Sequence, residues 1–249
     1  MTLTTELRRA LDADQLAVHY QPQVDLETGH WRGLEALVRW EHPERGFISP
    51  ARFIPMAEDS GLIGRLGAWV LERACREYQA LHTQGCDWGR LAVNVTAPEL
   101  GDPAFPDRVL GTLERTGLPP ERLELEITER LWVGVDPQTV DALERLRRHG
   151  VSVAVDDFGT GYSALSYLKD LSVDRLKVDR SFIQTLDHDA RGATLTRAIL
   201  ALAHSLELEV IAEGIETAEQ ERFLRKAGCQ LGQGFRYARP APLDKLRVS

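Results

Sequence analysis

Cysteines and long apolar runs are both scarce in this sequence. Its 249 residues include three cysteines, Cys75, Cys86 and Cys229, with no CxxC pair among them. So few thiols, in an odd number, argue against a disulfide scaffold or a structural zinc site and fit a reducing compartment. No stretch approaches the ~18 apolar residues of a membrane-spanning helix, and the N-terminus has no apolar signal-peptide core. We therefore expect a cytoplasmic protein, with no membrane contact from this chain alone.

Basic charge is also in deficit. The chain has 30 lysines and arginines against 38 aspartates and glutamates, and the arginines are scattered along it. This balance argues against a nucleic-acid polymer as the partner. Hydrophobic residues make up 43% of the chain, enough for a substantial core. Because no linker or low-complexity segment divides residues 1–249, the sequence predicts a single domain, with residues 1–14 as a short helical lead.

Short strand-like segments alternate with longer helical segments along most of the chain. Strands are predicted at 92–95, 123–128, 151–155, 175–178 and 208–212. Helices are predicted from an N-cap at Asp136 followed by Pro137, from the capping-box spacing of Thr217 and Gln220, and from an apolar stripe of Leu195, Ile199, Leu202 and Leu206. This alternation is typical of parallel strands joined by helical crossovers.

The N-terminal part departs from that alternation. Two strand-like segments, 19–24 and 31–40, are separated by only six residues. So short a connection suits an antiparallel hairpin rather than a helical crossover. We therefore expect an α/β chain with a barrel-like parallel sheet and one irregular strand at its start. An open, doubly wound sheet is the alternative.

Each predicted strand has one apolar face and one face that ends in a polar or charged side chain. Along 123–128, for example, leucine and isoleucine alternate with glutamate and threonine. In a barrel the polar face points inward, and its carboxyl-terminal end is where α/β barrels place active sites. The side chains expected to converge there are Glu35, Asn94, Glu126, Asp156, Asp157, Lys177 and Glu213.

Five of these seven side chains are carboxylates, which raise one another's pKa when they crowd together. Divalent cations are the natural compensation for such a cluster. A set of carboxylate and amide oxygens suits Mg²⁺ or Mn²⁺ rather than zinc or copper. Two ions with a bridging carboxylate form the arrangement that promotes in-line phosphoryl hydrolysis.

The motif Glu35-Ala36-Leu37, followed by Val38-Arg39, resembles the signature of EAL domains, the bacterial phosphodiesterases that hydrolyse cyclic di-GMP. The resemblance continues in eight further ordered motifs, at 20–25, 53–55, 94–96, 126–129, 156–163, 176–179, 212–216 and 233–235. It implies a modified TIM (β/α)₈ barrel with one antiparallel strand near the N-terminus. It also implies metal-dependent hydrolysis of cyclic di-GMP to linear pGpG.

The resemblance assigns roles to individual residues. Two Mg²⁺ or Mn²⁺ ions would be held by Glu35, Asn94, Glu126, Asp156, Asp157 and Glu213. Catalysis would depend on Glu35, on Lys177 in contact with the attacking water, and on Glu213, either as a metal ligand alone or also as a general base. The substrate-binding residues would be Gln21, Arg39 and Gln233.

Other residues would support this site. The groups expected to orient ligands or the loop at 156–163 are Glu129, Glu216 and Asp179, with Gly159 and Gly161 giving that loop its freedom. Ca²⁺ is expected to be inhibitory, because its looser coordination supports binding better than hydrolysis. The implied partners are cyclic di-GMP, a second copy of the chain in a homodimer, and a sensor or GGDEF domain that is absent from these residues.

Two other hypotheses remain open at this point. The chain could be a catalytically inactive cyclic di-GMP receptor, although loss of Glu35, Asn94, Asp156, Lys177 or Glu213 would be expected in that case and none is lost. It could also be an unrelated metal-dependent barrel enzyme, such as an enolase-type lyase. That hypothesis does not explain Gln21, Arg39 and Gln233.

Overall fold

Strands and helices alternate through the part of the chain that the computed structural model describes, residues 2–132, 136–160 and 173–246. The strands are β1 (Leu16–Asp25), β2 (Trp31–His42), β3 (Gly46–Ile48), β4 (Arg90–Val95), β5 (Leu123–Thr128), β6 (Ser152–Phe158), β7 (Arg175–Val178), β8 (Glu209–Ala212) and β9 (Leu231–Gly232). The helices are α1 (Leu3–Asp12), α2 (Pro50–Asp59), α3 (Ile63–His82), α4 (Ala97–Leu100), α5 (Phe105–Thr116), α6 (Pro137–Arg148), α7 (Arg180–Gln184), α8 (Ala190–Ser205) and α9 (Ala218–Lys226). None of the helices in these residues has both the length and the apolar character needed to cross a membrane.

Eight of these strands close into a ring. Their order is β1-β9-β8-β7-β6-β5-β4-β2, and the pairing of β1 with β2 completes the circle. Strand β1 is antiparallel to both of its neighbours, whereas the other ring strands are parallel to one another. Strand β3 pairs with β2 outside the ring. The predicted α/β barrel with one antiparallel strand near the N-terminus is therefore confirmed, and the open-sheet alternative is wrong.

A tight turn joins β1 to β2. Asp25 Oδ1 accepts hydrogen bonds from the backbone N–H groups of Glu27 and Thr28 at 3.0 and 2.8 Å. Gly29 follows with φ of +74°, a conformation that glycine adopts without strain. A bulge between Gln23 and Val24 then shifts the pairing by one residue, and beyond it Gln21 lies opposite Glu35 on the neighbouring strand. The hairpin predicted at 19–24 and 31–40 thus brings two of the predicted site residues together.

The apolar faces of the ring strands are buried beneath the surrounding helices. Fully buried residues on these faces are Leu34, Leu91, Leu123, Val153, Leu176 and Val210. Burying one such side chain favours folding by about 1.5–3 kcal/mol. Because the outward faces hold the helices in place, the inward faces are free to carry polar residues. This division is what the alternation of residue types along the strands predicted.

The N-terminal residues form part of this core. Helix α1 lies within the helical lead predicted at 1–14, and its Leu7, Ala10 and Leu11 are buried. Glu6 on the same helix accepts a hydrogen bond from Arg45 Nε at 3.1 Å, which ties α1 to the β2–β3 hairpin. Residues 3–12 therefore contribute to the packing of the barrel. The assignment of residues 1–249 to one domain stays a prediction.

The apolar stripe predicted along α8 is wrong in part. Leu195 is 50% exposed, and the buried residues of the helix are Thr196, Ile199, Leu200 and Ala203. The Thr196 hydroxyl donates to the Gly192 carbonyl at 2.9 Å, so its burial leaves no hydroxyl without a partner. The prediction treated leucine as a core residue and threonine as a surface residue. It therefore assigned burial to a helix face next to the one that is buried.

The predicted starts of α6 and α9 are confirmed. Asp136 Oδ1 accepts from the Thr139 backbone N–H at 2.9 Å and caps α6. At α9 the Thr217 hydroxyl accepts from the Gln220 backbone N–H at 3.1 Å, and Gln220 Oε1 accepts from the Thr217 N–H at 3.0 Å. This capping box fixes the segment that follows β8.

Replacing Thr217 by alanine removes one half of the capping box. We expect Thr217→Ala to lower the free energy of unfolding by about 1 kcal/mol, because one helix N–H then lacks its side-chain acceptor. For a chain of this size the melting temperature should fall by about 2–4 °C. The control is Thr194→Ala in the exposed interior of α8, which should leave the melting temperature unchanged or slightly higher. Equal melting temperatures for Thr217→Ala and the wild type would contradict the assigned cap.

Candidate active site

The ammonium group of Lys177 lies among carboxylates inside the barrel. Its side chain on β7 is 1% exposed, and Nζ lies 2.7 Å from Glu213 Oε1 and 2.8 Å from Glu126 Oε2. Asp156 Oδ1 is 3.2 Å away and Glu35 Oε2 is 3.7 Å away. These four carboxylates come from β2, β5, β6 and the residue after β8. The fold thus brings these side chains from separate strands to one point, as predicted, although Glu35 lies within the long strand β2 rather than at its end.

Two amide side chains hold Glu35 within this cluster. Asn94 Nδ2 donates to Glu35 Oε1 at 2.8 Å and to Glu126 Oε2 at 3.3 Å. Gln233 Nε2 donates to Glu35 Oε2 at 2.5 Å and to Gln21 Oε1 at 3.1 Å. Three of the predicted metal ligands and two of the predicted substrate-binding residues therefore belong to one hydrogen-bonded network.

Asp156 and Asp157 both reach the cluster because β6 is irregular there. Strict alternation would turn adjacent side chains to opposite faces of the strand. The pairing of β6 with β7 shifts between Val155 and Phe158, and Asp157 has φ of +54°. As a result, carboxylate oxygens of Asp156, Asp157 and Glu213 lie within 4.8 Å of one another. A local irregularity of this kind re-aims a side chain toward a site.

Burial and mutual repulsion raise the pKa of several of these carboxyl groups. Burial, together with the charge of Glu35, raises the pKa of Glu126 well above its usual value. Burial and the nearby Asp156 raise the pKa of Glu213 to about 8, and the same two effects raise the pKa of Asp157. Each of these groups is therefore easier to protonate than an exposed carboxyl.

The pKa values of Glu35 and Lys177 shift in the directions that favour their charged forms. Burial opposes ionisation of Glu35, but Lys177, Gln233 and Asn94 together lower its pKa. Burial also opposes the charge on Lys177, yet the surrounding carboxylates raise the pKa of its ammonium group well above the usual value. The pair Glu35–Lys177 is therefore charged at neutral pH.

The cluster contains more negative charge than its lysine can balance. Five carboxylates, including Asp157, surround a single ammonium group in this part of the described structure. Their oxygens and the Asn94 amide are the donors that a hard divalent cation prefers, and such a cation would supply the missing positive charge. Gln233 Oε1 is buried and has no hydrogen-bond partner among the described residues, so it leaves an acceptor open. The residues present therefore fit Mg²⁺ or Mn²⁺.

Glu129 holds the backbone that follows β6. It is 2% exposed, and its Oε2 accepts from the Gly159 backbone N–H at 2.8 Å. Gly159 has φ of +98°, and a Cβ there would lie 2.6 Å from the Phe182 ring, so only glycine fits. Gly161, the other predicted loop glycine, lies outside the described residues.

Asp179 and Glu216 lie at the starts of helices. Asp179 Oδ1 accepts from the Ser181 backbone N–H at 2.9 Å and caps α7. Glu216 is exposed, and its backbone N–H donates to Gln220 Oε1 at 2.8 Å in front of α9. The supporting roles expected of these two carboxylates stay predictions.

A cavity of about 480 Å³ lies beside the cluster and is also lined by Glu35 and Asn94. Its apolar lining on α2 and α3 comes from Ile54, Ile63, Leu66 and Val70. Arg39, half-buried, lines the same cavity and donates from Nη1 to the Val38 carbonyl at 3.0 Å. An apolar cavity that adjoins a guanidinium and a carboxylate cluster suits a ligand with both a flat apolar part and a phosphate.

A second layer of buried charge lies two residues earlier along the strands, and the sequence analysis missed it. Arg175 Nη1 lies 2.6 Å from Glu124 Oε1, and Nη2 lies 2.6 Å from Glu209 Oε2. Both Arg175 and Glu124 stand on the predicted polar faces, two positions before Lys177 and Glu126. The signal for this layer in the sequence is the pair of opposite charges at matching positions, two residues before the strand ends.

Comparison with known proteins finds close relatives. The EAL domain family model matches residues 4–240. The chain is 49% identical over 247 residues to the cyclic di-GMP phosphodiesterase NbdA of Pseudomonas aeruginosa, covering 99% of this chain and 31% of NbdA. It is 44% identical over 250 residues to the bifunctional diguanylate cyclase/cyclic di-GMP phosphodiesterase MucR of the same organism, covering 100% of this chain and 36% of MucR. The chain thus spans about a third of the length of these curated relatives.

A solved structure has nearly the same fold. The PaMucR phosphodiesterase in complex with c-di-GMP superimposes with a TM-score of 0.95 at 43% sequence identity. The alignment covers 99% of this chain and 100% of that chain. The similarity therefore extends over the whole barrel, including every strand that contributes to the carboxylate cluster.

Replacing Lys177 by methionine tests the charge balance of the cluster. Lys177→Met keeps a side chain of similar length but leaves the buried carboxylates without their cation. We expect the metal-free variant to lose about 3–5 kcal/mol of unfolding free energy. The corresponding fall in melting temperature is roughly 10 °C, measured by thermal denaturation in EDTA.

The matched control is Lys226→Met on the exposed surface of α9, which should melt like the wild type. Added Mn²⁺ should restore part of the stability of Lys177→Met, because it supplies positive charge to the same carboxylates. A metal-free Lys177→Met protein as stable as the wild type would contradict the assigned charge balance.

Proposed function

The chain belongs to the EAL domain family, and on this basis we propose that it hydrolyses cyclic di-GMP to linear pGpG in a metal-dependent reaction. The observation that carries the proposal is the convergence of the predicted acidic residues on Lys177. Relatives named as cyclic di-GMP phosphodiesterases support the choice of substrate. The chain spans about a third of the length of these curated relatives. The activity of any longer protein that contains it is therefore also part of this proposal.

The residues that would hold two Mg²⁺ or Mn²⁺ ions are Glu35, Asn94, Glu126, Asp156, Asp157 and Glu213. Their oxygen donors and the raised pKa of several of the carboxyls support this assignment, because both fit a site that lacks positive charge. When bound, the ions would lower the pKa of a water molecule and neutralise charge on the phosphodiester.

Lys177 acts as a hydrogen-bond donor in this proposal and not as a base. The carboxylates around it hold its pKa well above the usual value, so the ammonium group keeps its proton at neutral pH. Placed among the ligands, it would orient the attacking water and stabilise negative charge as that water adds to phosphorus. The P–O3′ bond of one phosphodiester breaks, the 3′-oxygen leaves as a hydroxyl group, and the ring opens to pGpG.

Arg39, Gln21 and Gln233 would bind the substrate. The guanidinium of Arg39 presents several N–H donors and suits a phosphate, and it lines the cavity beside Glu35. The apolar lining of that cavity would take a base or sugar of the dinucleotide. Gln21 and Gln233, joined by their 3.1 Å hydrogen bond, would contact the part of the substrate nearest the carboxylates.

The family membership and the cluster bear on the two alternative hypotheses, an enolase-type lyase and an inactive receptor. Membership of the EAL domain family makes the enolase-type alternative wrong for this chain. The inactive-receptor alternative lacks support, because Glu35, Asn94, Asp156, Lys177 and Glu213 are all present in the cluster. The homodimer, the cytoplasmic location and the attached sensor or GGDEF domain stay predictions.

Hydrolysis is tested directly with purified protein, cyclic di-GMP and Mn²⁺, with the products separated by anion exchange. We expect pGpG as the product. In Glu35→Gln a neutral amide replaces a carboxylate at the centre of the cluster, so kcat should fall by about 100-fold or more. The control Glu121→Gln changes an exposed glutamate in front of β5 and should leave kcat unchanged.

Two results would contradict the proposal. Tight binding of cyclic di-GMP with no pGpG after hours would replace hydrolysis by the receptor function. An unchanged kcat in Glu35→Gln, with the fold intact by circular dichroism, would show that the carboxylate cluster is not the site of reaction.

The choice of ion gives a separate prediction. Ca²⁺ accepts longer and less regular coordination than Mg²⁺, so it should support substrate binding but position the water poorly. We expect cyclic di-GMP to bind with Ca²⁺ present, and hydrolysis to be at least about tenfold slower than with Mg²⁺. Binding is measured by calorimetry and turnover by anion exchange. Turnover with Ca²⁺ at the Mg²⁺ rate would contradict a site that depends on small-ion geometry.

A further inference from the structure

Gln23 lies on β1 between the two layers of buried charge. It is completely buried, and the resemblance to EAL domains assigns it no role although it lies in the motif at 20–25. Its Nε2 donates to Glu126 Oε1 at 3.4 Å, and its Oε1 accepts from Arg175 Nη1 at 3.2 Å. The neutral side chain of Gln23 therefore connects Glu126, in the carboxylate cluster around Lys177, to the ion pair of Arg175 and Glu124.

The two partners fix the orientation of the Gln23 amide. An arginine side chain can only donate hydrogen bonds, so the Gln23 group that faces it has to be an acceptor. The carbonyl oxygen of Gln23 must therefore face Arg175, and its NH₂ group must face Glu126. Glutamate at this position would place a negative charge against Glu126, and an apolar residue would contact neither partner through a hydrogen bond.

Arg175 is itself held firmly, so it can serve as an anchor. Its side chain is 3% exposed, and it lies 2.6 Å from Glu124 Oε1 and 2.6 Å from Glu209 Oε2. Its Nε also donates to Glu209 Oε2 at 3.0 Å. Contacts at both ends of its guanidinium leave it little freedom to turn. The hydrogen bond from Arg175 Nη1 therefore holds the Gln23 amide in a fixed position.

The neighbouring strand makes room for this amide. Gly33 on β2 is paired with Gln23 across the hairpin. A Cβ at position 33 would collide with Gln23 Oε1 and lie 3.0 Å from the Arg90 carbonyl. The glycine is therefore needed for the Gln23 side chain to occupy its place between the layers.

The two oxygens of Glu126 are held from different sides. Lys177 and Asn94 contact Oε2, at 2.8 and 3.3 Å, whereas Gln23 contacts Oε1. We propose that Gln23 is a positioning residue that sets the orientation in which Glu126 binds metal, with Arg175 fixing the direction of its amide. This inference rests on the proposed role of Glu126 as a metal ligand.

The test measures Mn²⁺ binding in the absence of cyclic di-GMP, by calorimetry or by electron paramagnetic resonance. Gln23→Met keeps the volume but removes both hydrogen bonds, and we expect it to weaken Mn²⁺ binding about 10–100-fold. The control is Gln79→Met, a half-buried glutamine on α3, which should bind Mn²⁺ like the wild type. Circular dichroism establishes that the variants are folded.

Gln23→Glu provides a second test that does not depend on the folding of Gln23→Met. Its carboxylate still accepts from Arg175, so the fold is kept, but it repels Glu126. We expect Mn²⁺ binding to weaken at least about tenfold here as well. A purely structural role for Gln23 would lower the melting temperature and leave the Mn²⁺ affinity of the folded protein unchanged.

Unchanged or tighter Mn²⁺ binding in folded Gln23→Met or Gln23→Glu would overturn this inference. Failure of the wild-type protein to bind Mn²⁺ would overturn it together with the metal-dependent function. If the wild type binds Mn²⁺, the variants bind it more weakly, and no pGpG forms, the proposed hydrolysis fails while the role of Gln23 is supported.

Discussion

The ammonium group of Lys177 lies within 3.7 Å of oxygens from four carboxylates, and the barrel has to hold these groups together against their mutual repulsion. Like charges at such distances in a buried place repel strongly and raise one another's pKa. They stay together only if the surrounding frame is rigid and more positive charge is available. The closed ring supplies the frame, because each of its strands is hydrogen-bonded on both sides. A bound divalent cation would supply the charge, which links the electrostatics of the site to its proposed chemistry.

Neutral amides and a deeper layer of paired charges give hydrogen-bond partners to the buried carboxylates inside the barrel. Asn94 and Gln233 donate to Glu35, and Gln23 donates to Glu126. Beneath them, Arg175 pairs with Glu124, where neither side chain is more than 3% exposed. A buried polar network of this kind is stable only when nearly all its members have partners. The stability of the fold then comes from the outward, apolar faces of the strands, and the inward faces are free to carry the site.

The alternation of residue types predicted the barrel and most of the site, because inward positions recur every second residue along each strand. The strands predicted at 123–128 and 175–178 coincide with β5 and β7, and Glu126 and Lys177 follow from them. Asp157 joins the site through the irregularity in β6, which alternation does not contain. Gln23 was missed because its two partners lie 103 and 152 residues away along the chain. On α8 the burial of Thr196 could not be predicted from residue type, because it depends on the hydrogen bond that its hydroxyl donates to the Gly192 carbonyl.

The central claim is that the carboxylates around Lys177 form a site for divalent cations. A crystal structure of the wild-type protein grown with Mn²⁺, with diffraction data collected at the manganese absorption edge, tests it most directly. We expect anomalous density between Glu35, Asn94, Glu126, Asp156, Asp157 and Glu213, at about 2.0–2.2 Å from their oxygens. Anomalous density confined to other parts of the molecule, or none at all in crystals saturated with Mn²⁺, would contradict the claim.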